Sequence, residues 1–403
     1  MINMDTVLPD TEKYRNKINF TGEKLDMAIS DALKKVDLAM KTLGEDFASH
    51  HSINGVYFRK DNIEGGWNQG FWTGILWIAY ELTKDDKYKN LAMKHIPSFY
   101  KRIDEKLGVN HHDMGFLYMP SCVEAYNLFS DSMAKEAAVK AADHLLSRYR
   151  EKGKFIQAWG DIDDPSAYRL IIDCLLNIPL LYWATKVTGC KKYDEAAYNH
   201  FKTTLNNIFR PDGSVYHTFY FDPKTGKPVK GVTAQGYSDD SCWSRGQAWA
   251  VYGIILTYAY HNDSKILPIE ETAVNYFLNH LPKDYVAYWD LIFGDGSDEP
   301  RDSSASAIFV CGLIELIKHL PNDNELKPIY ENAVELIMDS LYENYSTRNC
   351  AESNGLLLHA TYSKPANIGV DECNIWGCYY YMEALMRLKN PGWKPCWLWR
   401  EAL

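Results

Sequence analysis

The chain has 403 residues, of which 46% are apolar, and a formal net charge of -10. That apolar share supports a large core and excludes a disordered chain, and the acidic balance with no basic run excludes a nucleic-acid partner. No apolar run reaches the roughly 20 residues needed to span a bilayer. The first eight residues, Met1 to Leu8, lack the basic start and apolar stretch of a secretory signal, and nine scattered cysteines without a CxxC pair read as reduced thiols. The expectation from both features is a cytoplasmic protein, with no membrane partner and no metal or disulfide role for its cysteines.

Residues 1–20 carry no pattern and stand as an arm or a partner-contacting segment. Downstream of a first helix, a weak repeat organises the chain: a Gly or small-residue start, an apolar helix rich in Trp or Tyr, a short turn, and a second amphipathic helix. The copies begin at Gly70, at Gly115, in the stretch from Leu170, and at Ser244, Asp302 and Asn374. Their spacing of about 45 to 75 residues exceeds most solenoid units. Helix pairs of this kind bury their apolar faces best by closing into a ring. The expected fold is therefore all-α, an (α/α)6 barrel of six hairpins with small β-strands in loops, as one domain over 1–403. An open helical solenoid is the structural alternative.

The stretch Leu170-Ile171-Ile172-Asp173-Cys174-Leu175-Leu176-Asn177-Ile178-Pro179-Leu180-Leu181-Tyr182-Trp183 places an acid in an apolar run. At helical spacing Arg169, Asp173 and Asn177 fall on one stripe. A carboxylate there is either tied to Arg169 or a neighbouring helix end as a structural acid, or faces a cleft with a raised pKa.

If the small-residue starts gather at one mouth of the ring, their free amides and dipole ends favour an anionic ligand, and the loops before them carry the chemistry. Those loops hold the unusual residues. Asp113, in Asn110-His111-His112-Asp113-Met114, is a helix N-cap or a second acid; beside Asp173 it would raise one pKa. Adjacent histidines with no further ligand pattern argue against a metal. Trp67, Trp159, Trp243 and Trp249 serve as core or as a stacking cage for sugar rings. Arg245 is a fork for a substrate carboxylate or a partner of Asp239 or Asp240. His217 and Gln235 bond ring hydroxyls or tie down their loop, and Tyr216 to Gly226 has the composition of a strand followed by a turn.

Jointly these motifs resemble the unsaturated glucuronyl hydrolases, glycoside hydrolase family 88, over about residues 60 to 390. The carriers are Gly70-Phe71-Trp72-Thr73-Gly74, His111-His112-Asp113-Met114-Gly115-Phe116, Gln157-Ala158-Trp159-Gly160, Ile171-Ile172-Asp173-Cys174, His217-Thr218-Phe219-Tyr220, Arg245-Gly246-Gln247-Ala248-Trp249, Arg301-Asp302-Ser303-Ser304 and Ile375-Trp376-Gly377. The resemblance implies the six-hairpin barrel, no cofactor, and hydrolysis of glycosaminoglycan-derived oligosaccharides whose non-reducing uronate carries a C4=C5 double bond. It implies Asp173 as the acid-base residue and Asp113 as the second carboxylate. It also implies a subsite of Trp67, His112, Trp159, His217, Gln235, Trp243, Arg245, Trp249 and Tyr362. Members favouring sulfated products carry a Ser-x-x-Ser-x-Lys run. Here Ala360-Thr361-Tyr362-Ser363-Lys364-Pro365 keeps Ser363 and an adjacent Lys364 but loses the first Ser and the aligned Lys, which points to unsulfated or differently sulfated substrates. A family 105 unsaturated rhamnogalacturonyl hydrolase, a non-catalytic sugar-binding barrel and a sugar epimerase barrel are the rival readings.

Overall fold

The structure, a computed structural model, describes residues 5–15, 17–63 and 66–402. Helix α1 spans Gly22–Leu43. The five complete hairpins follow in order. They are α2 (Gln69–Thr83) with α3 (Asp86–Asp104); α4 (Met114–Tyr118) and α5 (Glu124–Phe129) with α6 (Ser132–Ser147); α7 (Pro179–Thr188) with α8 (Lys191–Asn207); α9 (Ser244–His261) with α10 (Leu267–His280); and α11 (Ser303–His319) with α12 (Lys327–Ser340). Helix α13 (Ile375–Lys389) ends the series.

The first helices of the hairpins form a closed ring: α2 packs on α4, α4 on α7, α7 on α9, α9 on α11, α11 on α13, and α13 back on α2. Closure decides against the open solenoid. The outer partner of α13 is α1, so the sixth hairpin is assembled from the two ends of the chain. Composition sorts the two layers. Every residue of α9 from Ser244 to Tyr258 is buried, as in a helix walled on all sides. Outer α6 buries only Ala134, Ala137, Ala138, Ala141, Ala142 and Leu145, a one-faced stripe whose small side chains let it lie close to the ring. The second inner element is broken: Met119–Val123, containing Pro120, forms a π-turn between α4 and α5, because proline lacks the amide a regular helix needs there.

Short strands occupy loops, as expected. β1 (Phe47–Ala48) pairs with β2 (Arg59–Lys60), and β3 (Tyr149–Arg150) with β4 (Phe155–Ile156). β5 (Arg169–Ile171), β6 (Thr218–Phe221) and β7 (Pro228–Val232) make an antiparallel sheet with Leu170 opposite Phe219. The sheet corrects the helical stripe. Arg169 lies in β5, its guanidinium over the Tyr220 ring; residues 172–176 form a 3-10 turn; and the α-helix starts only at Pro179. β-branched residues start the run and Pro179 suits the first turn of a helix, not its interior.

The end of the barrel away from the loops is shut by the C-terminal segment. Trp397 stacks on Tyr380 and donates to Glu383 Oε2 at 2.8 Å. Glu383 Oε1 also accepts from Tyr252 and, at 2.9 Å, from Arg387 Nε, whose Nη1 reaches Glu315 at 2.7 Å. Residues 5–10 lie along α10, held by Asn275 and Asn279, and Tyr14 donates to Leu278 O at 2.5 Å. Removing one member of a fully buried ion pair leaves its partner uncompensated. Glu383→Ala is therefore expected to cost about 3–5 kcal/mol in urea unfolding; a loss below about 1 kcal/mol, the surface-pair range, would contradict it.

Candidate active site

At the opposite mouth lies a cavity of about 200 Å³ lined by Trp67, Asp113, Trp159, Asp173, Gln235, Trp243, Arg245, Trp249, Tyr362, Ser363, Ala366 and Ile368. Larger hollows, one under the N-terminal arm and one beside the C-terminal plug, hold no comparable set of acids and aromatics. The cavity residues come from the starts of inner helices or from the loops before them, so those starts do converge on one mouth. Trp67 precedes α2, Asp113 precedes α4, Asp173 sits in the turn before α7, Trp243 caps α9 and Tyr362 lies in the loop before α13.

Two acids sixty residues apart in the chain meet here. The imidazole of His112 lies between them, Nε2 3.3 Å from Asp113 Oδ1 and 3.3 Å from Asp173 Oδ1. The donor atoms of all three lie within 4.8 Å of one another. His112 is fully buried and Asp113 nearly so, whereas the Asp173 side chain is 18% exposed and so reachable from the cavity. Burial raises Asp173 well above the ordinary carboxylate range, and the nearby charge of Asp113 adds to the effect; Arg245 pulls the other way without cancelling it. Burial also pushes Asp113 up, but His112 and His111, whose Nδ1 lies 3.0 Å from Asp113 Oδ2, pull it below that range. Burial holds the His112 imidazole at about 4, so it is neutral near pH 7. Burial and neighbouring charge thus favour protonation of Asp173 over Asp113. Asp113 Oδ2, Asp173 Oδ1 and both His112 ring nitrogens have no well-formed hydrogen bond within the protein. The three donors could share a cation as well as a proton, but a protonated carboxyl is a poor ligand.

The aromatic walls are tied together. Trp67 Nε1 donates to Tyr362 OH at 3.1 Å, and its ring lies 4.9 Å from Trp376. Arg245 is paired with neither Asp239 nor Asp240. It bonds Asp302 and donates to Thr361 O and Tyr362 O at 2.6 Å and to Gln235 Oε1 at 3.0 Å, with its guanidinium 4.5 Å from the Trp243 ring. Arg245 therefore both faces the cavity and fixes the Tyr362 loop.

Three predicted residues lie off the wall. His112 is behind it, between the acids. His217 is beneath it: Nδ1 accepts from Ala234 N at 3.1 Å, tying down the loop, and its ring meets Trp243 edge-on at 4.8 Å. Lys364 turns outward, 3.9 Å from Glu299. Sequence reasoning missed Ala366 and Ile368, which complete the wall but carry no chemical signature, and Asp302, which anchors Arg245.

The family model for Glycosyl Hydrolase Family 88 matches residues 39–396. The chain belongs to this family. It is 50% identical over 386 residues to an unsaturated chondroitin disaccharide hydrolase of Streptococcus pneumoniae, covering 96% of this chain and 97% of that one. It is 39% identical over 364 residues to an unsaturated glucuronyl hydrolase of a Bacillus species, covering 90% and 96%. The crystal structure of an unsaturated glucuronyl hydrolase from Streptococcus agalactiae superposes with a TM-score of 0.94 at 47% identity, covering 98% of this chain and all of that one. A mutant of the S. agalactiae enzyme, crystallised with dGlcA-GalNAc6S, superposes at 0.88 and 44% identity with the same coverage. These relatives make the chain a glycoside hydrolase and support neither the rhamnogalacturonyl nor the non-catalytic alternative.

A carboxyl whose folded pKa is raised binds its proton more tightly in the folded state, so the stability it confers is lost as pH rises from the ordinary Asp value toward the folded one. Asp173→Asn removes that loss. The variant should melt above the parent at pH 7 to 8, and the gap should close toward pH 4 in calorimetry; a gap independent of pH contradicts the raised pKa.

Proposed function

We propose that this protein is an unsaturated glucuronyl hydrolase that removes a C4=C5 unsaturated uronate from the non-reducing end of glycosaminoglycan-derived oligosaccharides, with Asp173 as acid and base. The observation that carries this is Asp173 meeting Asp113 and His112 at the edge of a cavity walled by tryptophans. Asp173 gives its proton to C4, and the positive charge falls on C5, shared with the ring oxygen. Water adds its oxygen to C5 and returns a proton to the Asp173 carboxylate. The product is a hemiketal, which opens, and the glycosidic bond is lost. One group gives and then takes a proton, so its pKa should lie close to the working pH, which the raised value of Asp173 favours. Asp113 holds Asp173 and the sugar hydroxyls, His112 stands between the two acids, Trp67, Trp159, Trp243 and Trp249 supply stacking faces, and Gln235 and Tyr362 offer polar contacts. Converging helix starts and Arg245 suit the uronate carboxylate. Neither metal nor cofactor enters these steps.

The relatives' names favour chondroitin-type disaccharides. Within the loop that borders the cavity, Ser363, Ala366 and Ile368 face it while Lys364 turns toward Glu299, which leaves a sulfate without that cation and favours unsulfated substrate. A cytoplasmic setting is supported by nine unpaired cysteines; no helix among the described residues is long and apolar enough to cross a membrane.

Asp173→Asn should slow the loss of the double bond's ultraviolet absorbance by about 10²- to 10⁴-fold while disaccharide binding by calorimetry persists; near-normal turnover would rule out the role. On paired chondroitin disaccharides, the initial rate should be higher without sulfate, and a clear preference for the sulfated one would overturn the substrate assignment.

A further inference from the structure

Asp113 occupies the N-cap position of α4, yet its side chain makes no capping hydrogen bond. An Asp at that position normally folds back to accept from the amide two or three residues on. Here the Phe116 amide, third in the helix, donates instead to Asn177 Oδ1 at 2.9 Å. Asn177 belongs to the other acid's segment, and its Nδ2 donates to Asp173 O at 3.2 Å. Its side chain is fully buried. The first amide of the helix is also satisfied elsewhere, Met114 N donating to His112 O at 2.8 Å. The approach of the two segments is as tight as it can be: a Cβ added at Gly115 would stand 2.4 Å from Asn177 Cα and 2.9 Å from its Oδ1.

We infer that Asn177 is a positioning residue: it caps α4 in place of Asp113, frees the Asp113 carboxylate to face Asp173, and sets the separation of the two acids. One side chain thus does two things with its two ends. Its oxygen relieves Asp113 of the duty its chain position would impose, and its nitrogen pins the backbone that carries Asp173. Without Asn177, the orphaned Phe116 amide and the Asp113 carboxylate, one turn apart, become each other's nearest partners. Capping would then draw the carboxylate away from His112 and Asp173. Gly115 is part of the same device, because only a residue without a side chain lets Asn177 reach the amide.

This inference rests on the proposed role of Asp173, and the tests separate the two. In thermal melts, Asn177→Ala should lose more stability than Asp113→Ala, because the cap bond belongs to Asn177; the reverse order would return the cap to Asp113 and overturn the inference. That comparison does not depend on turnover. In steady-state assays on the disaccharide the parent turns over, Asn177→Ala should lower kcat about 10²-fold, the scale of a misplaced catalytic group, with little change in KM, since the cavity wall is untouched. An unchanged kcat, or a rise in KM alone, would contradict positioning. If Asn177→Ala does not fold, Gly115→Ala decides: it should reproduce the fall in kcat, and full activity would refute the spacing claim. Should the parent turn over no unsaturated disaccharide at all, the function fails while the order of melting temperatures still stands or falls alone.

Discussion

The site depends on forcing two carboxyl groups into one partly dry space. Donor atoms of Asp113 and Asp173 lie within 4.8 Å. At that separation and an effective dielectric near 20, two full charges repel by about 3–4 kcal/mol. Leaving one proton in place removes the cost, and the surroundings choose where it stays. Asp113 is flanked by two histidines, and His111 Nδ1, 3.0 Å from its Oδ2, favours the ionised form. Asp173 has instead burial and a negative neighbour, with only Arg245 opposing. Asymmetry around a symmetric pair is thus what drives the two pKa values apart.

Such a pair has to be held together against its own repulsion, and the barrel does this. The inner helices close on themselves, so their starts cannot spread, and residues distant in sequence meet at one mouth. The far mouth is filled by the C-terminal segment, whose Trp397 bonds Glu383. Buried charge serves opposite ends at each mouth. At the plug, Arg387 has carboxylate partners in Glu383 and Glu315 and is satisfied. At the cavity, Asp113 and Asp173 face each other with only histidine rings at 3.0–3.3 Å as close ionisable neighbours among the described residues.

The ring was legible in the sequence because each inner helix announces itself with small residues followed by an apolar run. The partner of α13 was not, since no local signal says that α1 closes the last hairpin from the other end of the chain. The stripe through Arg169, Asp173 and Asn177 failed as a helix, because short apolar runs fit strand and helix alike, and pairing with Phe219 decided for strand at Leu170. The acid it singled out nonetheless lines the cavity beside Asp113, since an ionisable group in an apolar run is a chemical signal whatever the backbone does. The Asp113 alternatives were posed too narrowly. It does occupy the cap position, and it also faces its partner acid, because another residue supplies the cap bond. Ala366 and Ile368 were invisible because shape alone qualifies them.

The tryptophans were posed as core or as subsite, and the structure packs Trp249 and Trp67 against the core while they line the cavity. A chain of ring contacts runs from the plug to the cavity: Trp397 on Tyr380, Tyr380 against Trp249 at 5.5 Å, Trp249 against Phe116 at 5.1 Å, Phe116 against Trp67 at 5.4 Å, and Trp67 on Trp376. Trp249 and Trp67, both members of this chain of contacts, line the cavity. A sugar face laid on them meets rings already immobilised from below, so little side-chain freedom is left to lose on binding. The same packing explains why the cavity can be small. Its floor is the top of the hydrophobic core, and the polar groups stand at its edge, where the helix starts and the loops before them deliver Asp113, Asp173 and Arg245.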